Sequence, residues 1–365
     1  VLFASLLKSQ VSATNSQAQS TLVSPESGLV YLQTDSHGRP SAIKHKPRAD
    51  FDTLTVDHSS TLASAIVPGE CEISGLHAAP HGHWVAVQVD CEAAGFVQIV
   101  QTASGQARDL GPEFGSDSIF LGWVPTGNQV ILKVNVATNP RVYLMSVASG
   151  QAALLPVPAT AYDVAISENG HRMVYSLTRG LGYGSETWIA DVDGQNARRV
   201  IADPTHIIAF ARWSPSGDRI VYLRLPDSNV PFPVGELWVM DSEGNHPISF
   251  GEADAGHGYE PAWSPDGLQV AFVGRENRHD AAADQIADRL ISNIYVADVQ
   301  GQAVSAVTQF TGALTESPAW SPDGAFLAFT TNAGGGMGVW AFEVKGKNLR
   351  QVTHGENARH PTWLP

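Results

Sequence analysis

An all-β fold, a β-propeller of four-stranded blades, is predicted by three features of the chain. A phrase Trp-Ser-Pro-(Asp/Ser)-Gly recurs at Trp213–Gly217, Trp263–Gly267 and Trp320–Gly324. Each copy leads into a strand-like run: RIVYLR, QVAFVG or FLAFTT. The last residues, His360–Pro365, match the opening of such a unit and stop. Repetition at roughly 45–57 residues marks a stack of units that each bury their apolar faces against neighbours.

The order inside a unit is consistent. An inner strand ends at Trp. In the Ser-Pro-Asp-Gly turn that follows, Pro suits the fixed φ and Asp-Gly supplies the polar and positive-φ positions. An apolar/polar alternating second strand is expected next. A third strand follows, as in Thr187–Asp191, Glu236–Asp241 and Asn293–Asp298. Short turns such as DVDGQN, DSEGNH and DVQGQA then lead to an outer strand such as ARRVI or LRQVT. Gly in these turns fits a tight hairpin. Four strands per unit make a propeller blade.

Weaker units open at Leu22, near Ala78, at Trp123 and at Ile166. Counting them favours seven blades; six is the alternative if the segment before Cys71 is a decoration. The ring is expected to close by strand exchange. His360–Leu364 would supply the inner strand to strands near Leu29–Gln33, Ser41–Lys46 and Asp52–Val56. Closure of this kind removes exposed sheet edges. The propeller is expected over 21–365, with loop insertions at 226–235 and 275–292. The second insertion carries a helical-looking stretch, AAADQIADRL, with Ile286 and Leu290 at i,i+4. Insertions at equivalent places in adjacent blades would raise a wall on one face, where binding tends to sit.

Composition bounds the partners. With 22 basic and 36 acidic residues the net charge is −14, and no basic run exists. Nucleic acid is therefore excluded as an expected partner. Two cysteines, Cys71 and Cys91, fall in one hairpin region and are expected to form a disulfide in an oxidising compartment. Residues 1–20 pair an apolar VLFASLLK with a Ser/Thr/Gln-rich spacer. They suggest a tail or the remnant of an export signal or membrane anchor. That leaves membrane attachment open.

The PAWSPDG–VAFVG unit, with its Asp-x-x-Gly turn and Val-Thr-like outer strand, resembles the TolB-type propeller repeat. The same repeat occurs in Tricorn-like proteases and in the propellers of prolyl oligopeptidase relatives. The match is strong over 205–365, recognisable over 74–205 and weak before residue 70. It implies a periplasmic, extracellular or surface-anchored protein-interaction module, or a gate attached to a peptidase. The α/β domain that precedes the propeller in TolB, and the α/β-hydrolase domain of the peptidases, have no counterpart in these residues.

Catalytic motifs are absent. The nearest string to a nucleophile elbow, Gly182–Glu186 (GYGSE), has the wrong spacing. There is no P-loop, Rossmann fingerprint or His-Glu-x-x-His, so no cofactor and no metal is expected. Asp266 and Asp323 are expected to bond their own turns. Asp191–Gly194 and Asp241–Gly244 lack the acid that completes a calcium loop. Trp213, Trp263, Trp320 and Trp363, with Trp84, Trp188, Trp238 and Trp340, are expected in the core. Polar residues just before the inner strands converge on a channel mouth: Asp163, His257, Tyr259, Glu260, Glu316, Arg359 and His360, with Tyr162 and His206 beside them. Such a ring could hold a cation, a peptide terminus or a sugar, although every propeller mouth is wet and polar.

The expected function is that of a non-catalytic, exported propeller. It would bind other proteins as a subunit of a periplasmic, cell-surface or extracellular assembly. The alternatives are a binder of a small ligand, glycan or peptide, at the channel mouth, and a metal-dependent lyase or hydrolase.

Overall fold

A computed structural model describes residues 27–51, 59–64, 67, 71–92, 94–111, 117–135, 139–254 and 259–365. Among them are seven four-stranded antiparallel sheets, the blades of a seven-bladed all-β propeller. The expected N-terminal tail, 1–20, lies outside the described residues.

Blade 1 contains both ends of the described chain. Its inner strand is Asn357–Leu364, followed across the sheet by Gly28–Thr34, Pro40–Pro47 and Ser60–Ser64. Leu29 pairs with Trp363 and Gln33 with Ala358, so the ring closes by the expected exchange. The outer strand is displaced from its expected place. It is Ser60–Ser64, while Asp52–Val56 lies outside the described residues. Just before that stretch, Phe51 ends a 3-10 turn and packs 5.0 Å from Trp363 and 5.5 Å from Phe326. The chain uses this apolar residue to cap the closing seam, and the outer strand falls later. Arg48 adds an ion pair to Asp323 of blade 7 at 2.8 Å.

Blades 2 to 7 follow in chain order. Their inner strands are Glu72–Ala78, Ser118–Trp123, Ala161–Ile166, His206–Trp213, Ala262–Trp263 and Thr315–Trp320. The core is divided into seven apolar clusters, and each straddles two adjacent blades. In the second strand of blade 6, Val270 and Phe272 face blade 5 while Ala271 and Val273 face blade 7. Second strands are thus buried on both sides, and the expected apolar/polar alternation does not hold for them. In blade 7, Phe326–Thr331 is buried at every position. A strand sandwiched between two neighbours reads as a continuous apolar run.

The recurring Trp has a specific task. Its indole N–H donates to a backbone carbonyl of the preceding blade, that of the residue just before the equivalent of Trp. The pairs are Trp123 to His77 (2.9 Å), Trp213 to Ala165 (3.3 Å), Trp263 to Arg212 (3.2 Å), Trp320 to Ala262 (3.1 Å) and Trp363 to Ala319 (3.0 Å). Where blade 2 has Ala78 instead, the Ala78 N–H donates to Thr362 Oγ1 at 3.1 Å. The turns behave as expected. Asp266 Oδ1 accepts the Ser264 hydroxyl and the Leu268 N–H, with Gly267 at φ 70. Asp191–Gly194 and Asp241–Gly244 are hairpin turns, closed by Gly194 and Gly244 N–H bonds to the first carbonyl.

With this topology the inner-to-second and third-to-outer turns lie on one face. The second-to-third loops and the entries to the inner strands lie on the other, which is called the upper face below.

The cysteines form a disulfide between Cys71 and Cys91, on either side of the first hairpin of blade 2. The expected helix in the second insertion is absent. Residues 281–285 form turns, and only Ala287–Arg289 is a short 3-10 element. Asp280 takes the Ala282 N–H at 3.0 Å as an N-cap would, and the Asp284 and Ile286 N–H groups reach carbonyls four residues back, but the run stops there. A single apolar i,i+4 pair, in which Leu290 is buried and Ile286 is 48% exposed, does not extend it. No helix among the described residues is long and apolar enough to cross a membrane.

Candidate functional site

The channel mouth on the upper face is shaped by irregularities in the inner strands. Those of blades 1, 2, 3, 4, 5 and 7 each shift register against the second strand. At three of these bulges a non-glycine residue has left-handed backbone: Phe210, Ser317 and His360, at φ 53, 55 and 52. Bulges re-aim side chains and free backbone donors from the ladder. Side chains of the preceding blade take up those donors. Asp163 Oδ2 accepts the Ala211 N–H at 2.9 Å, and Thr330 Oγ1 accepts that of His360 at 3.2 Å.

Six of the seven expected ring residues are described, at the inner strands of blades 4, 6, 7 and 1, and four of them meet in two separate contacts; His257 lies outside the described residues. Arg212, which sequence reasoning missed, bridges two of them. Its Nη1 donates to Asp163 Oδ1 at 2.7 Å, and its Nε donates to Glu260. Burial works against the Arg212 charge, yet the two carboxylates more than offset it and hold the guanidinium protonated well above its ordinary range. Tyr259 donates its phenol to Glu316, a buried carboxylate. Burial and the Glu316 charge push that phenol far above its ordinary value.

Across the channel, burial lowers His360 to about 4, helped by the charges of Arg359 and His77. His77 was also missed; burial lowers it while Glu260 opposes the shift, and its ring stacks 4.5 Å from Phe120. Arg359 makes no ion pair among the described residues.

Two neighbours of the ring do other work. Tyr162 donates to the Ile208 carbonyl at 2.7 Å, joining blades 4 and 5, and burial pushes its phenol up to about 12. His206 stands on the rim with Asp203 and Arg224, away from the channel groups. Ser185 of the GYGSE string is fully buried and bonds the His206 carbonyl and the Ile208 N–H, which leaves it no nucleophile's setting. Among the described residues no group of three or more His, Cys, Asp or Glu is placed to hold a metal.

The upper face also carries the wall. The second-to-third loops of blades 4, 5 and 6 are joined in series. The Gly184 N–H donates to Asp227 at 2.7 Å, and the Phe232 N–H donates to the Asp284 carbonyl at 3.1 Å. Arg275, 1% exposed, clamps the second joint by donating to the Phe232 carbonyl at 2.8 Å and to Asp284 at 2.9 Å. A buried guanidinium needs such partners.

Residues 170–365 match the TolB beta propeller domain. The uncharacterized peptidase YuxL of Bacillus subtilis (strain 168) is 25% identical over 142 residues, which is 38% of this chain and 19% of that protein. The chain spans about a fifth to a third of the length of the curated relatives it matches. Among solved structures, TolB from Acinetobacter baumannii has a TM-score of 0.50 at 15% identity, over 92% of this chain and 81% of that one. An oligogalacturonate lyase in complex with manganese has a TM-score of 0.53 at 11% identity, over 90% and 85%. At these identities the likeness to the solved structures is one of fold.

Proposed function

The chain belongs to the TolB β-propeller family, and from that premise we propose that it is an exported, non-catalytic propeller that binds another protein through its upper face, as a subunit of a cell-envelope or surface assembly. The observation that carries this is the wall: three loops from adjacent blades, locked to one another, with exposed apolar tips on those of blades 4 and 6. A pre-organised surface loses little freedom when a partner docks. The channel groups support the same reading. Efficient acid–base catalysis calls for a pKa near the working pH. Here Arg212 and Tyr259 are driven up, and His77 and His360 down. The Cys71–Cys91 disulfide supports export to an oxidising compartment.

A second reading is favoured by Arg359. A guanidinium at the channel mouth with no ion-pair partner among the described residues would suit an acidic small ligand. Native mass spectrometry of the protein, isolated gently from the cells that make it, tests both. A complex with chains of other mass supports the partner reading. A bare monomer counts against both, and a monomer with one discrete added mass favours the ligand.

A further inference from the structure

Two surface features of this one chain are complementary, and they lie on opposite faces. On the upper face, Leu181 and Tyr183 are each 68% exposed, more than any other large apolar side chain among the described residues. They stand on the second-to-third loop of blade 4, between Gly180 and Gly184, which have φ of 100 and 73. Their presentation is fixed. The Tyr183 N–H closes a turn onto the Gly180 carbonyl at 3.1 Å, and Gly184 is tied to Asp227. Arg179, exposed and without an ion pair among the described residues, stands two residues from Leu181. Rigid, exposed aromatic and aliphatic tips beside an arginine are the make-up of an interface centre.

On the lower face a cavity of about 460 Å³ opens between blades 5 and 6. At its floor stand Met240 and Val299, 2% and 3% exposed, with the half-buried Ile248 beside them. Asp218 and Asp241 contribute carboxylates, and Arg219 a single cation. Asp218 is held by the Ser214 and Ser216 hydroxyls, and Asp241 by turn N–H groups and His246 at 2.9 Å, so both rim charges are fixed in place. The volume is on the scale that encloses a small ligand, enough for a pair of protruding side chains.

We propose that this cavity receives Leu181 and Tyr183 of a second copy of the same chain, with Arg179 meeting the carboxylates of Asp218 and Asp241. The contact is heterologous: the upper face of one propeller stacks on the lower face of the next. Such contacts propagate unless the rotation closes them into a ring. A two-fold pairing of upper faces would leave the lower-face cavity unfilled. A lipid surface is disfavoured by the net charge of −14.

The test uses the full chain and two blocking variants. Tyr183→Asp disables the protruding side. Gln300→Trp, at an exposed position in the cavity wall, fills the receiving side. Sedimentation from micromolar to near-millimolar concentration reads the association. The parent chain is expected to self-associate. Each variant alone is expected to lose association by roughly ten- to a hundredfold. An equimolar mixture of the two should form a 1:1 dimer and nothing larger, because each partner keeps one working side. A parent chain that stays monomeric throughout overturns the proposal. So does association that survives either variant, or a mixture that fails to pair. Should either variant unfold, Leu181→Asp and Gln300→Phe replace them in the same design. Self-stacking and a complex with a different chain are told apart by mass, so either can fail without the other.

Discussion

Blade 7 offers a matched pair of tryptophans on which the interblade bond can be weighed. Trp320 and Trp340 are both half-buried and both pack on the cluster between blades 6 and 7. The Trp320 N–H donates to the Ala262 carbonyl at 3.1 Å, whereas the Trp340 Nε1 is buried without a hydrogen-bond partner among the described residues. Phe at either position removes a similar amount of ring. At Trp320 it also removes a bond with a net worth of about 0.5–1.5 kcal/mol and strips the carbonyl of its donor. At Trp340 it removes a donor already buried at a cost of about 1–3 kcal/mol, which offsets the lost contact. Trp320→Phe is therefore expected to destabilise by about 2–3 kcal/mol and Trp340→Phe by at most about 1 kcal/mol. Urea unfolding followed by far-UV circular dichroism measures both without relying on the fluorophores being changed. A gap under about 0.5 kcal/mol would refute the assignment of Trp320 as an interblade tie.

Three further outcomes are expected. Deleting His360–Pro365 removes Trp363 and Leu364 from two blade interfaces and should cost at least about 4 kcal/mol; a melting temperature within a degree or two of the intact chain would count against closure as a source of stability. Arg212→Ala strands Asp163 in the interior and should cost about 3–5 kcal/mol, much of it recovered in Arg212→Met with Asp163→Asn, as a double-mutant cycle would read. His360 titrates at about 4 when folded against 6.5 unfolded, so the unfolded chain binds the extra proton between these values. Its contribution is complete above pH 6.5, and up to about 3 kcal/mol is lost as the pH falls to about 4; His360→Gln should flatten that part of the stability curve relative to the parent, and an unchanged slope would exclude His360 as its source.

The repeat was legible because turn chemistry and the interblade bond fix residue types. Gly267 and Gly324 have φ of 70 and 68, and each recurring Trp must reach a neighbour's carbonyl. The channel was legible only in part. Asp163, Tyr259, Glu260, Glu316, Arg359 and His360 follow from their place ahead of each Trp. Arg212 and His77 stand at the position just before the Trp equivalent, where blades 6 and 7 have Ala262 and Ala319. An Arg in place of that Ala, in ARWSP against PAWSP, was the available signal. The bulges that bring this position to the channel leave no composition mark, since Phe210, Ser317 and His360 are not glycines. The missing helix shows the opposite error: one apolar i,i+4 pair, with Ile286 48% exposed, buries too little to extend isolated helical turns into a helix.

Strand exchange in blade 1 has a kinetic side. Its inner strand leaves the ribosome more than three hundred residues after Gly28–Thr34, with which it must pair. Blades 2 to 7 are local in sequence and can assemble as they emerge, each laid on the one before. Until the last eight-residue strand arrives, Gly28–Thr34 has an unpaired edge, and Tyr31 and Gln33 lack the Glu356 carboxylate that later takes both. Long-range pairing of this kind is slow to form and exposes an adhesive edge while it waits. Folding of this chain should end in a distinct annealing step, and the interval before it is when a chaperone, or another copy's final strand, would find a vacancy to fill.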